Sequence, residues 1–183
     1  MSPYIPRPGQ PVGLNPDWHL ARPDDAAAGS RTIELPTAAS TFELGRDRLA
    51  PLLDPGDLVV VAGPLGVGKT ALIQGVGAGL RVGEPVLSPT FVIARVHRGG
   101  RIPLVHVDAY RLSSVREIDD LDLDADLDSS VTAVEWGQGL VEHLSDEHLL
   151  IELSLRVDSE SRTATLSASG ASWNRRLSAI MEL

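Results

Sequence analysis

The chain has 183 residues and a formal net charge of −9 at pH 7, with 43% hydrophobic and 22% charged residues. This length fits one domain, and no apolar run approaches the ~18 residues of a membrane span. The net negative charge disfavours a domain that binds nucleic acid by itself. The absence of cysteine excludes disulfides and thiolate zinc sites and favours a cytoplasmic location.

The N-terminal third predicts an extension, a strand and a helix. Residues 1–30 contain six of the 13 prolines and almost no apolar periodicity, so we expect a flexible Pro-rich extension without a secretory signal. Residues 32–35 predict a short strand. Thr37 then opens a helix, because three apolar side chains share one face, namely Phe42, Leu49 and Leu53.

A buried strand and a second helix follow. Leu58–Ala62 is a continuous apolar run, typical of a strand that is buried on both faces of a parallel sheet. After a glycine-rich loop, apolar residues recur every four positions and predict a helix, at Leu72, Val76 and Leu80. Gly75, Gly77 and Gly79 weaken that helix by roughly 1 kcal/mol each. A close approach by a neighbouring element would explain these glycines.

The centre of the chain predicts a hairpin and a capped helix. Two apolar runs, at 91–97 and 102–108, flank a Gly-Gly pair and predict the hairpin. Ser114 and Glu117 have the spacing of a capping box, which predicts a helix that runs toward Leu127.

The last part of the chain predicts strands. Val131–Trp136 predicts another buried strand, and the runs at 149–157 and 162–169 predict a closing hairpin. Strands and helices alternate, so we predict an α/β fold with a mixed central β-sheet flanked by helices and a C-terminal β-hairpin. The predicted domain spans residues 31–172, and residues 173–183 are expected to form a tail.

The glycine-rich loop carries the strongest motif. Gly63-x-x-x-x-Gly68-Lys69-Thr70 matches the Walker A pattern, between a predicted strand and a predicted helix. Glycines let the backbone aim its amides at phosphate oxygens, and the helix dipole adds positive potential. Lys69 is the only lysine in the chain and would reach the β- and γ-phosphates, while Thr70 would bind Mg²⁺. The domain is therefore predicted to be a single P-loop NTPase domain, although an ordinary glycine-rich turn is the alternative.

A P-loop also needs a carboxylate that holds the metal, usually at the end of a buried strand. Asp108 and Glu135 each end an apolar run, and either could be a surface acid at a turn instead. Strand alternation places His106 on the same side as Asp108 and Tyr110, but a zinc site there lacks further ligands. The acidic run at 119–128 lacks the glycine and glutamate of a calcium loop, which favours a solvated face or a docking surface.

Four stretches in their order carry a family resemblance: GPLGVGKT at 63–70, SPTF at 88–91, HVDAYR at 106–111 and VEW at 134–136. Together they resemble the TsaE (YjeE) family, the small bacterial ATPases of tRNA threonylcarbamoyladenosine synthesis, over roughly residues 32–170. Pro64 and Gly137 depart from the residues common in the family, and Pro64 removes one loop N–H.

The resemblance implies roles for matching positions, with ATP and Mg²⁺ as cofactors. ATP would be bound by Thr41, Gly63, Leu65, Gly66, Val67, Gly68, Lys69, Thr70 and Ala71. The catalytic residues would be Lys69, Asp108 and Glu135, and the metal would be held by Thr70, Asp108 and Glu135. Glu135 would orient or deprotonate the attacking water, or support the metal. A switch or partner surface would comprise Ser88, Pro89, Thr90, Phe91, Tyr110, Arg111 and Trp136, whose aromatic members could instead fill the core.

The resemblance also implies partners. The family supports TsaB and TsaD, which transfer the threonylcarbamoyl group to adenosine 37 of tRNA, so tRNA would be contacted only indirectly. A small-molecule kinase is the competing class, but the one arginine cluster near the motifs, Arg95, Arg98 and Arg101, straddles a hairpin turn. A regulatory module that only binds nucleotide is a third possibility. A GTPase is disfavoured, because a sole lysine in the P-loop leaves no N-K-x-D motif.

Overall fold

The computed structural model describes residues 30–89, 91–121, 123, 127–156 and 161–180. Seven strands form one mixed sheet in this part of the chain. They are β1 (Arg31–Leu35), β2 (Leu58–Ala62), β3 (Ala94–His97), β4 (Leu104–Asp108), β5 (Val131–Glu135), β6 (His148–Leu155) and β7 (Arg162–Ser169). The α-helices are α1 (Ala38–Glu43), α2 (Lys69–Leu80), α3 (Val115–Asp119) and α4 (Ala171–Ile180). Among the described residues, no helix has the length and apolar character needed to cross a membrane.

The strand order is β1-β7-β6-β2-β5-β4-β3, with a parallel centre and antiparallel edges. β2 lies between β5 and β6, and both of its faces are buried. Val59 and Val61 belong to one apolar cluster, whereas Leu58 and Val60 belong to the cluster on the other face. The predicted mixed sheet and C-terminal β6–β7 hairpin are thus confirmed.

The first helix begins as predicted, since Thr37 accepts a hydrogen bond from the Ser40 amide as the N-cap. It widens into a π-helical turn over Leu44–Leu49 and ends in a 3₁₀ turn, Ala50–Leu52. Because of this change in winding, Leu49 and Leu53 are buried, while Phe42 is only half-buried.

Gly75 and Gly79 of α2 are explained by the segment that begins with α1, whereas a Cβ at Gly77 would collide with the Val86 side chain. A Cβ at Gly75 would collide with the carbonyl oxygen of Phe42, and one at Gly79 would collide with Ala50. On the same interface, a Cβ at Gly45 would collide with the Leu72 carbonyl oxygen. Backbone therefore packs directly on backbone where these two segments cross, so the close approach expected from the sequence exists.

Two predicted elements differ in extent from the observed ones. The capping box of α3 is present, with Ser114 and Glu117 each bonded to the other's backbone amide, but α3 ends at Asp119 rather than near Leu127. β5 ends at Glu135, because Trp136 takes a left-handed backbone conformation with φ of 62°.

The C-terminal segment differs from the expected tail. Residues 173–180 belong to α4, which buries Trp173, Leu177 and Ile180 in the same cluster as β2 and α2. Arg176 holds α4 in place: it donates two hydrogen bonds to the Asp57 carboxylate, at 2.6 and 2.7 Å, and one to the Leu52 carbonyl oxygen. The core consequently extends beyond residue 172, and of the predicted N-terminal extension all but residue 30 lies outside the described residues.

Candidate functional site

The parallel register brings the predicted loop and both predicted carboxylates to one edge of the sheet. Val61 pairs with Glu135 across β2 and β5, and Asp108 pairs with Glu135 across β4 and β5. The loop that follows β2 therefore begins beside the C-terminal ends of β4 and β5. A pocket of about 380 Å³ opens at this edge, lined by residues from all three strand ends.

The loop between β2 and α2 wraps tightly because of its glycines. Gly63, Gly66 and Gly68 have positive φ values of 133°, 76° and 115°, which glycine adopts without steric cost. A Cβ on Gly63 would also collide with the Leu153 carbonyl oxygen on β6. Gly68 is the N-cap of α2, so the helix N-terminus faces the pocket that Gly66 and Gly68 line. Such an arrangement favours anions.

Lys69 lies in this pocket with only 4% of its surface exposed. Its Nζ donates to the carbonyl oxygens of Gly63, at 2.8 Å, and Pro64, at 3.0 Å. The indole ring of Trp136 covers it, with 3.6 Å from Nζ to the ring centroid. Burial lowers the pKa of Lys69 from 10.5 to about 8, although the carboxylates of Glu135 and Asp108 act in the opposite direction.

Glu135 is the centre of a buried hydrogen-bonded group. Thr70 donates its hydroxyl to Glu135 Oε1 at 2.7 Å, and His106 Nε2 lies 3.0 Å from the same oxygen. His106 has no exposed surface, and Glu135 is 4% exposed. Both strand-end acids face the loop, since Asp108 and Glu135 both line the pocket, and their catalytic and metal-binding roles stay predictions.

Aromatic side chains form one wall of the pocket. The rings of Tyr110 and Trp136 lie 5.2 Å apart between centroids, at an interplanar angle of 59°. Asp108 accepts a hydrogen bond from the Tyr110 amide at 3.1 Å, which caps the 3₁₀ turn after β4. Both rings line the pocket and are only partly buried, so they shape the site.

Other predicted residues lie at varying distances from the pocket. Thr41 is fully buried against Gly68, and its hydroxyl has no hydrogen-bond partner among the described residues. Val67 is buried within the loop, whereas Leu65 lines the pocket and is 81% exposed. Ala71 is half-buried in α2 and does not line the pocket.

The predicted switch segment follows α2. Pro89 is buried, and its carbonyl oxygen accepts hydrogen bonds from the amides of Val92 and Ile93. Ser88 is exposed, Phe91 is 88% exposed, and the Arg111 guanidinium lies 5.6 Å from the Phe91 ring centroid. Thr90 lies outside the described residues, so its predicted role remains a prediction.

Arg162 is a residue of this region that sequence reasoning missed. It begins β7, and its Nε donates to the Val67 carbonyl oxygen at 2.8 Å. It also borders Gly68, at 3.8 Å from the position that a Cβ would take there. A single arginine at the start of a strand carries no local signal, and 95 residues separate it from Val67. Only the folded sheet therefore links it to the loop.

The residues present fit a magnesium–nucleotide site. Thr70, Asp108 and Glu135 supply only oxygen donors, which suit a hard cation that keeps waters and phosphates as its other ligands. Over the residues that the structure describes, no group of three or more His, Cys, Asp or Glu could hold a metal by itself. The glycine cradle, the helix N-terminus and the buried hydroxyl of Thr41 suit a phosphate-bearing ligand.

Fold and loop together define an α/β protein of the P-loop NTPase class. Comparison with known proteins agrees with this: the model of the family described as threonylcarbamoyl adenosine biosynthesis protein TsaE matches residues 35–164. The chain belongs to the TsaE family.

Relatives and a solved structure show the same likeness. The chain is 53% identical over 137 residues to the tRNA threonylcarbamoyladenosine biosynthesis protein TsaE of Streptomyces coelicolor, covering 72% of this chain and 92% of the relative. The protein of the same name from Mycobacterium tuberculosis is 46% identical over 148 residues, covering 76% of this chain and 88% of the relative. A crystal structure of YdiB from Bacillus subtilis superposes with a TM-score of 0.68 at 26% identity, covering 84% of this chain and 95% of that one.

Proposed function

We propose that this protein binds ATP with Mg²⁺ and hydrolyses it, as the nucleotide-dependent partner of a threonylcarbamoyl-transfer complex that modifies tRNA at adenosine 37. The observation that most directly supports this proposal is the hydrogen bond from the Thr70 hydroxyl to Glu135, at 2.7 Å. It lies beside the buried Lys69 and beside Asp108, which lines the pocket. This hydrogen bond connects Thr70, which follows the loop that would bind the phosphates, to Glu135, the acid that would bind the metal or orient the water.

Phosphate binding is assigned to the loop and to Lys69. The amides around Gly66 and Gly68 and the α2 N-terminus supply positive potential without a mobile side chain. Lys69 adds a point charge that is costly to bury without a neighbouring anion, so a phosphate that approaches it would gain from neutralising this charge. Thr41 and Arg162 border the loop at Gly68, where Thr41 is fully buried and Arg162 donates to the Val67 carbonyl oxygen, so both would hold the loop in shape for the nucleotide.

Metal binding is assigned to Thr70, Asp108 and Glu135. A Mg²⁺ ion held by these residues would supply positive charge beside the phosphates of the nucleotide. Thr70 already donates its proton to Glu135, so the lone pairs of its hydroxyl remain for a metal. Glu135 Oε1 faces two donors, which supports a role in orienting the metal ligands more than a role as a base.

A partner role is supported by apolar side chains on and near the pocket rim. Leu65 and Phe91 are 81% and 88% exposed, and Leu87 and Val92 are also exposed on the segment after α2. Leu87, Phe91 and Val92 share one short segment, and groups of exposed apolar side chains mark interaction sites. We propose TsaB- and TsaD-like proteins as the partners, in the cytoplasm, with tRNA reached only through them because the chain carries a net charge of −9.

A small-molecule kinase is less well supported by the positions of the arginines. Its arginine-rich lid would have to come from the cluster at the β3–β4 turn. Arg101 of that cluster instead donates to the carbonyl oxygens of Ala50 and Leu53, which fixes it to the end of the first helical segment.

Hydrolysis is tested with purified protein and labelled ATP. The wild type should release phosphate to water slowly, as P-loop proteins do before a partner completes the site. Glu135→Ala should abolish turnover, while Glu43→Ala, at an exposed glutamate of α1, should not change it. Phosphate found on a metabolite from a panel would establish the kinase, and unchanged turnover in Glu135→Ala would remove the assigned role of Glu135.

Docking is tested by measuring partner affinity with ATP, with ADP and without nucleotide. A nucleotide shifts docking only if the partner-bound and free states differ in their affinity for it. Equal partner affinity under all three conditions would refute a nucleotide-dependent role.

A further inference from the structure

The proposed function assigns no role to His106. His106 lies on β4, two residues before Asp108, with its side chain completely buried. Its Nε2 lies 3.0 Å from Glu135 Oε1, the oxygen that also accepts the Thr70 hydroxyl. Three side chains from β4, β5 and α2 therefore meet at one oxygen atom.

The direction of each hydrogen bond follows from the donors available. A carboxylate only accepts, so the Thr70 hydroxyl and the His106 Nε2–H must both donate to Oε1. A threonine hydroxyl has one proton, and once this proton points at Glu135 its lone pairs point elsewhere. The orientation of the Thr70 lone pairs thus depends on where the Glu135 carboxylate is held.

His106 is a rigid neighbour of the Glu135 carboxylate, because it lies on β4 with its side chain completely buried. Its ring is packed within the sheet, and its Nδ1 is buried without a hydrogen-bond partner among the described residues. A buried nitrogen without a partner is unfavourable, and an apolar ring of similar size would pack there without that cost. Packing alone therefore does not account for an imidazole at this position, whereas donation to Glu135 does.

We propose that His106 is a positioning residue for metal binding: through Nε2–H it fixes Glu135, and through Glu135 it orients the Thr70 hydroxyl toward the metal. The inference rests on the proposed function, because it takes Thr70 as a Mg²⁺ ligand. Partners that orient a metal ligand in this way contribute about 10- to 100-fold to metal affinity.

The first test compares nucleotide binding with and without Mg²⁺ in three proteins. His106→Phe keeps a ring but removes the donor, and His106→Gln restores an N–H near the place of Nε2. We expect His106→Phe to need about tenfold or more Mg²⁺ for half-maximal ATP binding, with metal-free ATP affinity within about twofold of wild type, and His106→Gln to recover most of the loss. An unchanged Mg²⁺ requirement, or an equal loss of metal-free affinity, would overturn the proposal.

A matched control and a double variant test whether His106 acts through Glu135 and Thr70. His97→Phe replaces the other buried histidine of the described strands, which does not contact Glu135 and should leave the Mg²⁺ requirement unchanged. Thr70→Val removes the hydroxyl that His106 is proposed to orient, so adding His106→Phe to it should cause a smaller loss than in wild type, the remainder being the loss through Glu135 itself. A full additional loss would mean that His106 acts independently of Thr70.

A second measurement does not depend on nucleotide. Nitrogen NMR of the histidine rings in the wild-type protein reports which nitrogen carries the proton. We expect the proton of His106 on Nε2, and a neutral ring protonated only on Nδ1 would overturn the proposal whatever the binding results. If wild type shows no ATP binding while His106 donates from Nε2, the proposed function fails and the positioning of Glu135 stands.

Discussion

Lys69 offers a direct test of the site, because it is the only lysine in the chain. The residue is 4% exposed and its amine is covered by Trp136, and this burial lowers its pKa from 10.5 to about 8. A protein labelled at the lysine ε-carbon gives a single lysine signal, so an NMR titration reads this group alone. We expect a midpoint near pH 8, and a rise of the midpoint when ATP and Mg²⁺ place phosphate charge beside the amine.

The lowered pKa of Lys69 also predicts how the free energy of unfolding changes with pH. Between pH 8 and 10.5 the unfolded chain keeps the lysine proton while the folded protein has lost it, so the free energy of unfolding rises with pH. The shift corresponds to about 3 kcal/mol over that window. Below pH 8 the amine is charged in both states, and the cost of burying the charge is fully present.

Lys69→Met supplies the reference protein for this measurement. Urea unfolding of both proteins should show wild type gaining about 3 kcal/mol relative to Lys69→Met as pH rises from 7.5 to 10.5. ATP binding by wild type should weaken as pH rises above 8, because the neutral amine no longer attracts phosphate. A lysine midpoint at 10.5 in the protein without ligand, or a constant difference between the two proteins, would refute the inferred desolvation of Lys69.

Three further predictions concern packing and surface. Gly75→Ala should lower the free energy of unfolding by about 2 kcal/mol or more, because its Cβ collides with the Phe42 carbonyl, which outweighs the ~1 kcal/mol that alanine gains in a helix; urea titration measures this. Arg176→Met should cost about 3 kcal/mol by the same assay, since it leaves the Asp57 carboxylate buried without its bidentate partner. Phe91→Ser should weaken partner binding in a pull-down or calorimetric titration, while the free energy of unfolding changes by less than about 0.5 kcal/mol, because the ring is exposed.

Each of these has a neighbouring control. Ala78→Gly, at an exposed position of α2, should cost about 1 kcal/mol, and a stabilised Gly75→Ala would contradict the close approach. Arg175→Met changes an exposed arginine beside Arg176 and should leave stability nearly unchanged. Leu155→Ser removes an exposed apolar side chain of β6 that does not line the pocket, and an equal loss of partner binding in it and in Phe91→Ser would argue against a docking surface at Phe91.

Much of this protein could be predicted from local patterns. The apolar run of β2, the glycine loop and the four-residue spacing of α2 each depend on neighbours a few positions apart, and the structure contains all three. The same holds for the capping box at Ser114 and for the two hairpins. Asp108 and Glu135 could be predicted because each ends an apolar run, and a P-loop usually takes its metal-binding carboxylate from the end of a buried strand.

Other features follow only from the tertiary structure. Sequence spacing cannot show that Thr70 and Glu135, 65 residues apart, share a hydrogen bond, or that Arg162 reaches the carbonyl of Val67. The helical spacing of Trp173, Leu177 and Ile180 is present in the sequence, but the packing of α4 on the core depends on distant partners, such as Asp57 for Arg176. Local backbone preferences follow from neighbours in the chain, whereas these contacts depend on strand register and helix packing, which the fold as a whole decides.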